Sequence, residues 1–170
     1  SGTHQAMATE SVSISDKVQH EGLASGAAMR LEGKLVFADT GEPVQNDGGE
    51  VSATIEFAPE QADGSVTLEL PAFNARELAG RKVVVFERLY MGRELVASHE
   101  DLSDEGQSVK LIDIGTQARV SQTGGSMGCL DESMEVVDAV SFKGLTPWKP
   151  YTLKSALVGD DGNMLVVDQT

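Results

Sequence analysis

The chain has 170 residues and a net charge of -14, from 27 Asp and Glu against 13 Lys and Arg; this excludes partners held by clustered positive charge, nucleic acid and anionic membrane among them. A single cysteine, Cys129, excludes an intrachain disulfide, a Cys-based zinc site and a Cys-x-x-Cys redox motif. Hydrophobic residues at 40% suffice for a core, 5% aromatics and 18 Gly point to slim side chains and many turns, and no apolar run is long enough to insert in a membrane.

In chain order, Ser11–Leu23 alternates, with Val12, Ile14, Asp16, Val18 and His20 sharing one face of a half-buried strand. Asp16 thereby falls on an apolar face, where a carboxylate costs free energy unless it is paired or hydrogen-bonded. Strands follow at Met29–Phe37, Glu50–Phe57 and Ser65–Leu70, separated by Asp39-Thr40-Gly41-Glu42-Pro43, Pro59 and Asp63-Gly64. Asn74–Gly80 reads as one short helix, with Asn74 as N-cap and Gly80 as its stop. Arg81–Tyr90 is the most apolar strand, Leu95–His99 returns from it, and Ser108–Ile114 follows an Asp-rich loop. About seven short strands with regular turns make an all-β antiparallel sandwich.

A shift of 122 residues lays the end of the chain over its start without a gap. Asp16 meets Asp138, Val18 meets Val140, Gly22-Leu23 meets Gly144-Leu145, and Leu31, Leu35 and Val36 meet Leu153, Leu157 and Val158. Such self-similarity marks a tandem array. The expected division is 1–115 for one sandwich repeat and 116–170 for the first part of a second. Ile114–Val120 reads as the opening strand of the second repeat, and the first is expected to lack one. The absence of an N-terminal signal pattern fits either a cytosolic protein or a piece of a longer array, and the broken repeat frame favours the piece.

The polar residues that break this pattern cluster. His99-x-Asp101-x-x-Asp104-x-x-Gln107 follows Val84-Val85-Phe86-Glu87, and Asp16-x-Val18-x-x-x-Gly22-Leu23 stands upstream. These motifs resemble the repeats of Gram-positive surface adhesins that form intramolecular Thr–Gln ester bonds, often called VaFE repeats. The resemblance implies an Ig-like (CnaB-like) sandwich in which a Thr of the first strand attacks the carboxamide of a Gln of the last, expelling ammonia. It makes Gln107 the electrophile, His99 the group that deprotonates the Thr, Glu87 a buried acid near the amide and Asp16 its companion carboxylate, with Asp138 the matching carboxylate of the second repeat. Asp101 and Asp104 support the loop. The nucleophile falls on Gly115-Thr116-Gln117-Ala118 and serves the second repeat. For the first it is missing or replaced by Thr3, and the gapless alignment, which sets Thr3 against Gly125, favours missing.

The residue types suit this chemistry independently. A Thr hydroxyl is a weak nucleophile and an amide a weak electrophile, so the pair needs a base such as neutral His and a donor on the carbonyl. A carboxyl buried against Val83, Val85 and Phe86 is held protonated and can be that donor. Strands that hold both partners side by side supply proximity.

The function expected from the resemblance is a stalk module of a cell-wall-anchored, extracellular adhesin or pilus-like protein, needing no cofactor or metal and turning over no external substrate. Its partners would be neighbouring repeats and an unspecified host ligand, with strand-swapped association a consequence of open edges. Three other readings stay open. The cross-link could be a Lys–Asn or Lys–Asp isopeptide using Lys17 or Lys34. The loops Asp101–Gly106 or Asn46–Glu50 could bind a ligand or a cation without any covalent bond. His99 and Asp101 could serve a hydrolase, although no Ser or Cys elbow accompanies them. Glu87 could also be a strand-end carboxylate paired with Arg88 or Arg81, and Trp148 could pack at a strand entry.

Overall fold

The computed structural model describes residues 4–128 and 134–166. Its elements are β1 (His4–Met7), β2 (Ser15–His20), β3 (Met29–Phe37), β4 (Gln45–Asn46), β5 (Gly49–Glu50), β6 (Ser52–Phe57), β7 (Gly64–Glu69), β8 (Lys82–Met91), β9 (Glu94–His99), β10 (Ser108–Val120), β11 (Val136–Lys143), β12 (Leu157–Val158) and β13 (Met164–Val166). Asn74–Gly80 forms only a single 3-10 turn at Arg76–Leu78, because the Asn74 side chain accepts from Arg76 N–H instead of capping a longer helix. Among the described residues no helix is long and apolar enough to cross a membrane.

One sheet runs β6-β3-β8-β10-β1, with β9 also on β8. β10 pairs with the start of β8 and β9 with its end, so β9 and β10 follow one another along the same side of β8. The second layer is the β2-β7 ribbon, whose Leu68 packs onto Gly33 of β3. Between the layers lie Leu35, Val44, Val51, Phe73, Val83, Val85 and Leu111, slim side chains apart from one ring. Burial of such residues drives association of the two layers. The alternation read from sequence survives in β2, where Asp16, Val18 and His20 turn inward and Ser15, Lys17 and Gln19 outward.

The expectation that the first repeat lacks an opening strand is overturned. β1 lies parallel to β10 in the register His4↔Val109 to Met7↔Ile112, the place of a strand beside the last one. The backbone extends this pairing as Ala8 N–H donates to the Ile112 carbonyl. The 122-residue shift sets β1 against residues 126–129, whereas the segment read as the second repeat's opening strand lies in residues 113–120 of β10, which form an antiparallel ribbon with β11.

β10 is thus a single strand of both repeats. At the joint, Gly144 sits where a side chain would overlap the Leu111 carbonyl, and Gln5 Nε2 donates to the Tyr151 hydroxyl. Leu31 and Val36 are each 1% exposed, while their counterparts Leu153 and Val158 are 63% and 53% exposed. Residues that make the first core therefore form an open apolar face in the second unit. Trp148, expected to pack, is fully exposed with a φ of 65°.

Candidate functional site

Glu87, His99 and Gln107 come together where β8, β9 and the start of β10 meet. Glu87 and His99 are direct cross-strand partners, so their side chains share a face of the sheet. Gln107 immediately precedes β10, whose first residue, Ser108, pairs with Val84; its Nε2 donates to Glu87 Oε2 at 3.1 Å. Asp16 reaches the same point from β2 in the facing layer. All of this happens at the wall of an open groove of about 570 Å³ between β2 and β9, lined by Val18, Leu31, Leu89 and Val96 along with Glu87, His99 and Gln107.

Glu87 is 4% exposed. It lies on the inward face with Val83 and Val85, whereas Phe86, expected to help bury it, points to the other face of the sheet. Burial first, and the neighbouring Asp16 carboxyl second, push the Glu87 carboxyl up to about 8, against a smaller opposite effect of the Gln107 hydrogen bond. Among the described residues no cation pairs with Glu87: Arg88 pairs with Glu100 at 2.8 Å and Arg81 with Asp39 at 2.6 Å, which removes the reading of Glu87 as half of a salt bridge to either. Glu87 Oε1 and Asp16 Oδ2 are buried and receive no hydrogen bond from an N–H or hydroxyl, so the two carboxyls are satisfied through each other when one of them keeps its proton. A carboxyl pair of this kind beside an amide marks a candidate reactive centre.

The Asp-rich loop positions the imidazole. His99 Nε2 lies 3.0 Å from Asp104 Oδ2, while Asp104 Oδ1 accepts Gly106 N–H at 2.7 Å and the Asp104 carbonyl accepts the Ser108 hydroxyl. Asp101 Oδ1 accepts the N–H and hydroxyl of Ser103, bonds that hold its carboxyl below the usual range. Asp101 therefore shapes the turn, and Asp104 touches the His directly. That role was not separable from loop support in the sequence; the three-residue step from Asp104 to Gln107 was the available signal.

The second-repeat candidates lie elsewhere. Thr116 pairs with Val140 and Ala118 with Asp138, so Thr116 and Asp138 are diagonal neighbours on one exposed face of the β10-β11 ribbon. Nine residues of extended chain separate Thr116 from Gln107, about 30 Å, so the structure does not bring them together. Thr3 lies outside the described residues. Lys34 is an outward residue beside Glu50 at 3.8 Å and Lys17 an exposed outward residue of β2, so neither occupies the buried position that an isopeptide donor needs. Among the described residues no cluster of three or more His, Cys, Asp or Glu side chains could hold a metal ion.

A family model described as "T-Q ester bond containing domain" matches residues 1–111 and again 112–170. No curated protein matches the chain. Among solved structures it is similar to a bacterial adhesin from Mobiluncus mulieris, described as containing intramolecular disulfide, isopeptide and ester bond cross-links, at 12% identity and a TM-score of 0.51, over 81% of this chain and 69% of that one. A second crystal form of that adhesin gives 13% identity and a TM-score of 0.49, over 80% and 69%. At these identities the likeness concerns the fold.

Proposed function

Since the chain belongs to the T-Q ester bond containing domain family, we propose that its first repeat welds itself shut through an ester between Gln107 and a Thr of its opening strand, and that the chain is part of the stalk of a bacterial cell-surface adhesin, anchored to the cell wall. The observation that carries the reading is the Gln107 carboxamide held at 3.1 Å on a buried carboxyl whose neighbours keep it protonated at neutral pH.

We assign the nucleophile to Thr3. β1 begins at His4, opposite Val109, and runs parallel to β10; Thr3 is the residue that precedes His4 in sequence, as Ser108 precedes Val109 and follows Gln107. His99 Nε2 is engaged by Asp104, which leaves Nδ1 to take the hydroxyl proton. The Thr Oγ attacks Gln107 Cδ, the Cδ–Nε2 bond breaks, and the proton taken by His99 leaves with the amide nitrogen as ammonia. A half-turn of the amide presents its carbonyl to protonated Glu87, which donates to the oxygen as negative charge develops there, with Asp16 keeping the proton on Glu87. The product is one ester and one ammonia, formed once per repeat, so the module is not a turnover enzyme.

The joined ends enclose nearly the whole first repeat. A loop of that size restricts the unfolded chain by about 4–5 kcal/mol, and it prevents β1 from peeling away from β10 under tension. Thr116 and Asp138 supply the corresponding groups of the second repeat. Intact-mass measurement tests the reading: the chain is expected to be lighter than its sequence by one ammonia, and Gln107→Ala is expected to show its full unmodified mass. A wild-type chain at full mass after folding contradicts it.

A further inference from the structure

The carboxyl pair does not stand alone in its layer. Across the large sheet one cross-strand row reads Ala53, Gly33, Glu87, His99. In the facing ribbon Asp16 is the direct partner of Leu68. The two rows stack, with Asp16 over Glu87 and Leu68 over Gly33. A Cβ built on Gly33 would overlap Leu68 Cδ2 and would come within 3.7 Å of Val85. Gly33 has no positive φ, so no backbone conformation requires glycine here; what requires it is the space Leu68 fills. Leu68 is 1% exposed.

Resting on the ester reading above, the geometry points to Gly33 and Leu68 as the positioning pair of the reaction: the missing side chain at 33 lets Leu68 seat on the cross-strand row that carries Glu87 and cover the carboxyl pair on the side away from the groove. Neither residue touches the reacting atoms. Their effect passes through Glu87, whose other facing groups are Asp16 from β2 and His99 from β9, with Asp104 behind His99 and Lys17, His20 and Glu21 at the groove rim. A side chain at 33 lifts Leu68, admits water and lets Glu87 ionise at neutral pH, where it can no longer donate to the amide. The second repeat carries Ser155 at the matching place, so the requirement belongs to this glycine–leucine contact rather than to every repeat.

The test follows ammonia loss by intact mass in three full-length chains, wild type, Gly33→Ala and Leu68→Ala, with folding checked by circular dichroism. Wild type is expected to be fully linked on isolation. Both variants are expected to link at least tenfold more slowly than wild type at pH 7, with the ratio of the two rates closing as the pH falls towards about 4.3, where a wetted carboxyl regains its proton. Leu68→Ala removes the seal without crowding position 33, and so decides the matter if Gly33→Ala does not fold. Variants that fold and link at the wild-type rate overturn the inference and leave the ester intact, as do variants slowed equally at every pH, which marks a merely structural role. A wild-type chain that never loses ammonia overturns the ester reading itself.

Discussion

The amide of Gln107 donates to the carboxyl of Glu87 across twenty residues of sequence, and it does so where Glu87 is buried and, among the described residues, forms no salt bridge. The carboxamide proposed as the electrophile thus rests against a carboxyl whose burial and Asp16 neighbour favour its neutral form, and the chemical expectations below derive from that contact.

Glu87→Gln keeps the shape of the side chain and removes its proton. Ester formation is expected to fall by about a hundredfold or more, the usual loss when one polarising donor disappears. The unlinked fold is expected to survive, since a buried neutral amide replaces a carboxyl that is costly to ionise. Intact mass and urea denaturation report the two halves of this prediction.

The same carboxyl makes the unlinked fold sensitive to alkali. With its pKa raised from 4.5 to about 8 in the folded state, Glu87 keeps its proton after the unfolded chain has lost it. Its contribution is fully present below pH 4.5, erodes as pH rises and is lost above about 8, with on the order of 5 kcal/mol at stake across the window. Urea titrations of Gln107→Ala from about pH 3.5 to about pH 9, a range spanning about a unit either side of the two pKa values, are expected to show that fall, and Gln107→Ala combined with Glu87→Gln to show a much flatter profile.

His99→Ala is expected to slow ammonia loss by about a hundredfold, the lower end of general-base effects, while changing stability by less than about 1 kcal/mol, because its pair with Asp104 is partly exposed. Asp104→Asn is expected to slow it less, since the imidazole remains and only its orientation loosens. Time courses of intact mass separate the two.

Thr116→Ala is expected to leave the first-repeat ester untouched, because its hydroxyl lies about 30 Å along the strand from Gln107. Lys17→Ala and Lys34→Ala are likewise expected to retain the mass deficit, which separates the ester from an isopeptide. Loss of the deficit in any of the three contradicts the site as described.

Much of this was legible in the residues. The inward placement of Asp16 followed from alternation with Val12, Ile14 and Val18, and the spacing from Glu87 to His99 to Gln107 marked the seam before any geometry was known. The β1 strand was not legible, because four residues without strong alternation pair through a register that only the folded β10 supplies. Asn74–Gly80 carried helix signals too weak to survive beyond one turn once the Asn74 side chain found a local donor. Gly33 resembled any strand glycine, since its meaning lies in Leu68, thirty-five residues away in sequence. Phe86 was misplaced because a run of apolar residues does not say which face each one takes.

The most direct measurement is tandem mass spectrometry of the proteolysed, folded chain. The account predicts a branched peptide in which the segment containing Thr3 is joined to the segment containing Gln107, lighter by one ammonia than the sum of the two. Recovery of the Gln107 peptide alone, with its carboxamide intact, would contradict it.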